Sequence, residues 1–229
     1  MPTIKERPIL FSAPMVRALL AGAKTQMRRA IKFKQTPCMS IEENEEGKPW
    51  PWREDCDRGG DIWYPCPYGK PGDRLWARET WGVISHTWNE YGEMIDWIPN
   101  RPAKPIRELP FGKCYYSGHV IYAADGPNEW SSEDDGGGEP RSAWHPSIHM
   151  PRAASRILLE ITDVRVERLQ DISEEDAVAE GGPVDHPNGT ARGWFEQLWE
   201  KLNGAGSWDA NPWVWVIEFK RIEEAACKP

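Results

Sequence analysis

The sequence lacks long apolar runs and the signatures of several common chemistries. No stretch approaches the roughly 18 consecutive apolar residues that mark a membrane-spanning helix. There is no phosphate-binding loop, no dinucleotide fingerprint, no Gly-x-Ser-x-Gly elbow and no internal repeat. Residues 1–8 hold no apolar run of the kind found in a signal peptide. We therefore expect a cytoplasmic protein without a membrane partner.

Cysteine is scarce and irregularly spaced, with five residues and no Cys-x-x-Cys pair. This spacing does not predict a disulfide framework in a reducing compartment. Three cysteines fall in one stretch rich in proline and glycine, which makes a zinc site conceivable, with a fourth cysteine or a histidine as the last ligand. Because no short paired spacing accompanies them, we expect no metal and no cofactor. The candidate ligands are Cys38, Cys56, Cys66 and Cys114.

The chain is rich in tryptophan, and its charges are unevenly distributed along the sequence. Fourteen tryptophans predict a packed core rather than a disordered chain. A net charge of -8 argues against a protein that coats nucleic acid. However, residues 1–34 hold eight basic residues and one acid, whereas residues 125–139 hold six acids and no base. A local basic region on an acidic body predicts a small, selective nucleic-acid or nucleotide site.

The basic region is concentrated where a helical pattern ends. Apolar residues at helical spacing stop at Gly22, and Lys24, Thr25, Arg28 and Arg29 follow within seven positions. Basic groups at such a turn suit a phosphate or a polarised carbonyl. The alternative is a helix C-terminus whose cations are solvated and favoured by the helix dipole.

Residues 71–81 read as a tight turn that leads into a strand. Alternation places four residues on one face, and Glu79 is the only charged residue among them. A carboxylate that points into apolar surroundings needs a partner. Two interpretations stay open, a structural ion pair with an arginine or a pocket residue that faces Lys24. The four residues of that face are Leu75, Ala77, Glu79 and Trp81.

A second polar cluster occupies residues 141–156, where prolines constrain a loop. Its His149 and Arg152, mixed with Trp144, are typical of a loop that contacts nucleic acid. The alternative is a hydrogen-bonded loop that ties the chain's irregular segments to the core.

The remaining pattern predicts short helices between strands. Residues 35–70 and 82–112 show little periodicity, and we interpret both as irregular. Predicted helices cover the later part of 8–22, 172–181 with Ser173 as N-cap, and 190–203; predicted strands cover 114–124, 156–169 and 213–220.

In this order, the motifs resemble an ASCH domain, a family similar to the PUA-like β-barrels of RNA-modifying proteins. The resemblance also extends to a longer group of ASCH proteins found in phages and prophages. It implies an α+β fold, a small PUA-like β-barrel with flanking short helices. It further implies one domain over residues 1–229, with long irregular insertions at about 31–70, 82–152 and 184–212. The motifs are Gly22-x-Lys24 with Arg29, Pro71-Gly72-Asp73-Arg74-Leu75, the run from Ile172 to Gly181, and Val216-Ile217-Glu218-Phe219-Lys220.

The resemblance implies a cleft that binds RNA or a nucleoside, in a phage or prophage context. Some small ASCH proteins are amidohydrolases of acetylated cytidine, and their lysine and glutamate correspond to Lys24 and Glu180. Their threonine corresponds to Met27, whose thioether cannot act as a nucleophile or proton relay. We take Lys24 and Glu180 as candidate catalytic residues. The candidate ligand-binding residues are Lys24, Thr25, Arg28, Arg29, Glu79, His149 and Arg152.

Three functions follow, in order of preference. The first is binding of nucleic acid or a nucleoside, with RNA or a modified base as the expected ligand. The second is hydrolysis, by an amidohydrolase of a modified nucleoside or by a ribonuclease acting on phosphodiesters. The third is binding of a host protein, suggested by the acidic stretches at 41–61 and 125–139.

Overall fold

The fold is α+β and rich in strands, as the sequence predicts. A computed structural model describes residues 3–33, 40–128, 142–184 and 189–222. The helices in these ranges are α1 (Ala13–Leu20), α2 (Glu174–Ala179) and α3 (Ala191–Asn203). The strands are β1 (Glu6–Leu10), β2 (Gln26–Ala30), β3 (Ser40–Glu43), β4 (Pro49–Glu54), β5 (Asp61–Trp63), β6 (Arg74–Arg78), β7 (Trp81–Ile84), β8 (His86–Trp88), β9 (Met94–Asp96), β10 (Lys104–Phe111), β11 (Cys114–Tyr122), β12 (Leu158–Arg168) and β13 (Trp213–Ile222).

The chain divides into two compact units. The first combines the residues up to 7 with 18–75 and 159–222, and the second combines 8–17 with 76–158. The single-domain organisation expected from the sequence stays a prediction.

A five-stranded sheet has the order β1, β6, β12, β13, β2, with ends at β1 and β2 in the described ranges. Strand β13 runs antiparallel to β2 and places Glu218 opposite Gln26 and Ile217 opposite Met27. The core of the first unit packs α2 and α3 against this pair. Its buried members include Ile172, Ala177, Phe195, Trp199, Val214 and Val216.

The predicted irregular structure of residues 31–70 is wrong for much of that range. Strands β3, β4 and β5 form a three-stranded antiparallel sheet, in which Trp52 lies opposite Trp63. The Trp50 indole donates to the carbonyl of Tyr64 at 2.8 Å and its ring meets Trp215 edge-on. Alternating tryptophans at 50 and 52 are a strand signal, but prolines at 49 and 51 obscure it.

The second insertion, residues 82–152, is also not irregular throughout. Strands β10, β11 and β7 form a second three-stranded sheet, and β8 pairs with β9 in a separate hairpin. The β10–β11 register shifts between Ile106 and Leu109, at a bulge where Glu108 has φ of 47°. This irregularity breaks the period-2 pattern that would reveal the strand. The core of this unit contains Trp81, Leu109, Val120, Tyr122, Met150 and Ala154.

The Pro71–Leu75 motif has a structural role. The Asp73 carboxylate accepts from the amides of Lys5 and Lys70 and from the Arg7 guanidinium, at 3.0, 3.3 and 3.1 Å. A Cβ on Gly69 would lie 3.0 Å from both Arg7 and Asp73. Asp73 therefore fixes the turn that leads into β6.

The predicted stop at Gly22 and the predicted N-cap at Ser173 are confirmed, although α2 spans Glu174–Ala179 rather than 172–181. Gly22, at φ of 73°, follows α1 and donates to the carbonyl of Leu19. The Ser173 hydroxyl accepts from the Asp176 amide at the start of α2, and Thr190 caps α3 in the same way. In the part of the chain that the structure describes, no helix has the length and apolarity needed to cross a membrane.

Candidate functional site

Lys24, just before β2, and Glu180, just after α2, form the centre of the site. The Lys24 ammonium donates to Oε2 of Glu180 at 2.7 Å and to its carbonyl oxygen at 2.8 Å. The two backbones also form an isolated antiparallel bridge. Both side chains are almost wholly buried, at 1% and 4% exposure. The two candidate catalytic residues are thus joined by main chain as well as by charge.

Asp176 adds a second carboxylate to this centre. It lies four residues before Glu180, and residues at that spacing share one helix face. Arg28 donates to Oδ2 of Asp176 at 2.8 Å and to Oε1 of Glu180 at 3.4 Å. Gln26 Nε2 donates to Oδ1 and to the carbonyl oxygen of Asp176 at 3.0 and 2.9 Å. The helix therefore presents a pair of carboxylates to the start of β2.

Strand alternation explains why β2 meets these carboxylates with polar groups. Lys24, Gln26 and Arg28 are two residues apart, and side chains at that spacing point to one face of an extended chain. All three are nearly inaccessible to solvent. Three polar groups buried together require partners, and α2 supplies them.

The network continues outward through Arg165 and Glu167 of β12. Arg165 donates to Glu167 and to Glu218, and reaches Oδ1 of Asp176 at 3.3 Å. Arg28 also donates to Glu167 at 3.2 Å. The side chains of Glu167, Asp176 and Arg165 are about a quarter exposed, at 24%, 25% and 26%. The site therefore has a buried floor at Lys24 and Glu180 and a rim that reaches solvent.

The electrostatics of the site are balanced rather than basic. Three cations (Lys24, Arg28 and Arg165) face four carboxylates (Glu167, Asp176, Glu180 and Glu218). The interpretation of Lys24 and Arg28 as solvated cations is therefore wrong, because both are buried and paired. Arg28 also keeps a buried Nε with no hydrogen-bond partner in the described residues.

Two pKa values in the network depart from their ordinary range. Burial lowers the pKa of the Lys24 ammonium; Glu180 opposes this, and Arg29 and Arg28 reinforce it. Burial raises the pKa of the Asp176 carboxyl, but the hydrogen bond from Gln26 and the charges of Arg28 and Arg165 outweigh it and leave that pKa low. A lysine with a lowered pKa is more readily used as a base.

The Met27 side chain lies on the face of β2 opposite the network. It is 2% exposed and pairs with Ile217 of β13, while Lys24, Gln26 and Arg28 alternate on the other face of the strand. The side chain that follows Lys24 on the network face is Gln26. A carboxamide therefore occupies the next position on that face.

Thr25 and Arg29 complete the predicted basic segment. The Thr25 amide donates to the carbonyl of Ala179, its carbonyl accepts from Phe219, and its residue surface is exposed. Arg29 is half-buried. Both alternate with Lys24, Gln26 and Arg28, so their side chains lie on the opposite face of the extended chain from the network.

Glu79 belongs to the second unit and has its own partners. The Arg156 guanidinium donates to both Glu79 oxygens at 2.9 and 3.0 Å, and to both Asp125 oxygens at 2.7 and 3.0 Å. The same guanidinium stacks on Tyr122 at 3.9 Å. Burial raises the pKa of the Glu79 carboxyl against the opposing effect of Arg156. Of the two interpretations of Glu79, the structural ion pair is the one observed.

The polar loop of the second unit is arranged around His145 rather than His149. His149 is exposed and ends a short 3-10 turn, while Arg152 is half-buried in the next one. The His145 ring packs 4.8 Å from both Trp81 and Phe111, and its backbone bridges Trp81. Burial lowers the pKa of this imidazole.

The cysteines do not assemble a metal site within the described ranges. Cys56 and Cys114 are exposed, Cys66 is buried, and all three are free thiols. Across those ranges no three His, Cys, Asp or Glu side chains are grouped to hold a metal ion. Cys38 lies outside the described residues.

Comparison with known proteins does not supply a family. No family model matches this chain, and no curated protein or solved structure matches it either.

The sequence analysis did not assign five residues to this site: Gln26, Arg165, Glu167, Asp176 and Glu218. Two signals could have found part of this set. Lys24, Gln26 and Arg28 alternate in an expected strand, and Asp176 and Glu180 are four apart in an expected helix. Together they predict one polar strand face against one acidic helix face.

Proposed function

We propose that this chain is an ASCH-type protein with a PUA-like barrel core that binds nucleic acid or a nucleoside, with RNA or a modified base as ligand. The phage and prophage group is the context that its longer motifs favour. The observation that carries the proposal is the buried Lys24–Glu180 pair, joined through Asp176 to a rim of partly exposed charged groups.

The rim offers the two kinds of group that read a base edge. The carboxylates of Asp176 and Glu167 accept hydrogen bonds from exocyclic amines, and the Arg165 guanidinium donates to ring nitrogens and carbonyl oxygens. Single-stranded RNA exposes these edges because its bases can be unstacked. The balanced charge of the network suits recognition of a base better than a long phosphate track.

The experiment is a titration of the full chain with labelled single-stranded RNA, single-stranded DNA and free nucleosides, modified and unmodified, at several salt concentrations. The proposal expects saturable binding with a shallow salt dependence, because few phosphates are neutralised. No binding to any of these ligands would overturn it.

A second function, hydrolysis of a modified nucleoside amide or of an RNA phosphodiester, is favoured by the lowered pKa of Lys24. In the amide reaction the Lys24 ammonium first gives a proton to its partner, the Glu180 carboxylate, and the resulting amine takes a proton from the attacking water. Glu180 delivers the proton it received to the leaving nitrogen. Incubation with acetylcytidine and with RNA, followed by mass spectrometry, tests this function. Turnover that survives in Lys24→Met would remove Lys24 from the reaction.

A further inference from the structure

The β8–β9 hairpin of the second unit carries its large apolar side chains on the outside. Trp88, Met94 and Ile95 are 47%, 56% and 43% exposed, and Tyr91 and Ile98 are 80% and 82% exposed. These five residues, the hairpin patch, lie within eleven consecutive positions. Single exposed apolar residues are common on protein surfaces, but five large ones within one short hairpin segment indicate an interaction site.

The apolar side chains of the patch lie on both faces of the β8–β9 hairpin. Trp88 lies directly opposite Met94, and His86 opposite Asp96, so these four side chains share one face. Ile95 lies on the other face, opposite Thr87. An isolated two-stranded hairpin is marginally stable in water. Apolar side chains that remain exposed to water lower the stability of the hairpin further, unless a partner covers them.

The turn of the hairpin is nevertheless well ordered by its own hydrogen bonds. The Asn89 side-chain oxygen accepts from the amides of Tyr91 and Glu93 at 3.0 and 2.9 Å, and its Nδ2 donates to Glu93 at 2.9 Å. Gly92 takes the left-handed conformation that the turn requires, with φ of 75°. Because the display geometry exists without a partner, binding requires little ordering of this segment.

The charge around the patch identifies the class of partner. Residues 86–100 contain Glu90, Glu93 and Asp96 and no lysine or arginine. Carboxylates at this density disfavour a nucleic-acid backbone and an anionic lipid surface. They favour a protein surface on which apolar side chains are flanked by lysine or arginine.

The backbone of the hairpin adds a mode of recognition. Among the described residues, β8 and β9 pair only with each other, so each strand has an edge without a neighbour. An extended segment can add to such an edge, where main-chain hydrogen bonds give affinity and alternate side chains give specificity.

We propose that the β8–β9 hairpin is a docking site for an extended protein segment that carries apolar residues together with lysine or arginine on one face. Trp88 and Met94 provide the apolar contact, and Glu90 and Asp96 provide the complementary charge. This interaction is separate from the ligand site at Lys24 and does not depend on it.

The test is selection of a random twelve-residue peptide library against the immobilised full chain, followed by affinity measurement with the enriched peptides. We expect enriched peptides to be cationic and to carry apolar and basic residues two positions apart, on one face of the extended peptide. Trp88→Ser with Met94→Ser weakens their binding by about tenfold or more, since apolar anchors dominate interface energetics. Leu202→Ser, at a similarly exposed apolar residue of α3, leaves it unchanged.

A second variant guards against loss of the hairpin fold. Glu90→Lys with Asp96→Lys keeps every apolar residue of the patch. We expect this double variant to bind the same peptides more weakly, and the loss of affinity to be larger for peptides with more positive charge. Enrichment of acidic peptides, or equal binding to the parent and both patch variants, would overturn the proposal. So would sedimentation that shows a dimer dissociated by the serine variant, because a second copy would then cover the patch.

Discussion

The Lys24 ammonium and the Glu180 carboxylate lie 2.7 Å apart in the interior of the first unit, at a point where their backbones also bridge. An ion pair in this position is costly to desolvate and costly to break. It is retained together with Asp176, Arg28 and Gln26 as one connected network, which links the end of α2 to the start of β2.

The coupling between the two residues is measurable. We expect Lys24→Met to lower the free energy of unfolding by about 3–5 kcal/mol, because it leaves a buried carboxylate without its nearest cation. Lys24→Met combined with Glu180→Gln should lose about 1–3 kcal/mol less than the sum of the single variants. Urea unfolding of the parent, the two single variants and the double variant gives the four free energies of a double-mutant cycle. The exposed Lys48–Glu46 pair, at 2.8 Å, is the control, and its coupling should be far smaller. Additive losses at Lys24 and Glu180 would show that the pair does not act as a unit.

Acidification should weaken the first unit through Asp176. The pKa of this carboxyl is lower in the folded chain than its ordinary 3.8, so its contribution is complete above that value and disappears as pH falls through the folded pKa. We expect Asp176→Asn to be less stable than the parent at pH 7, and the difference to shrink at the acid end. Urea titrations between pH 7 and pH 2.5 test this. Asp96→Asn, at an exposed carboxylate, should follow the parent throughout; a constant Asp176→Asn deficit would contradict the linkage.

Gly181 holds the chain next to Lys24 in a conformation that few other residues adopt. Its φ is 97°, and an added Cβ would lie 3.1 Å from that of Ala18 and 3.5 Å from that of Lys24. We expect Gly181→Ala to lower the free energy of unfolding by at least about 1–2 kcal/mol, because alanine is strained in this backbone conformation. Gly193→Ala within α3 should instead be neutral or stabilising by up to about 1 kcal/mol, since helical glycine is entropically costly. Thermal unfolding compares the two, and equal effects would argue against strain at Gly181.

Arg156 should be a stability residue of the second unit rather than a ligand contact. Arg156→Met leaves the Glu79 and Asp125 carboxylates without their shared cation, and we expect a loss of about 3–5 kcal/mol. Arg107→Met, at an exposed position of β10, removes the same charge and should change stability little. Hydrogen exchange that leaves β7 and β11 as protected in Arg156→Met as in the parent would contradict this role.

The elements that the sequence predicts correctly are those with strong local signals. Strand β13 begins with a continuous run of aromatic and β-branched residues, and β12 is rich in leucine, isoleucine and valine. Helix α3 combines an apolar stripe with a cap at Thr190 and a stop at Gly204. The Leu75–Trp81 face is buried as its alternation predicts, Glu79 included. Each of these signals lies within the element that it predicts.

The elements and contacts that the sequence did not predict depend on partners that are distant in the chain. The β3–β5 sheet is made of short strands interrupted by proline, and only their mutual pairing reveals them. The rim residue Arg165 is separated from Glu218 by 53 positions, so no local pattern joins them. Glu79 also required its distant partner, Arg156, before its two interpretations could be separated.

The most direct test of the central claim compares ligand binding by Lys24→Met, Glu180→Gln and Lys48→Met with that of the parent, using single-stranded RNA and nucleosides. Circular dichroism first confirms that each variant is folded at the temperature of the titration. The account predicts that the first two variants lose about tenfold or more in affinity, as expected for a disrupted buried charge pair beneath the ligand. Lys48→Met, which removes the same charge from an exposed pair, should bind as the parent does. Parent-like affinity in folded Lys24→Met and Glu180→Gln would contradict the assignment of this network as the ligand site.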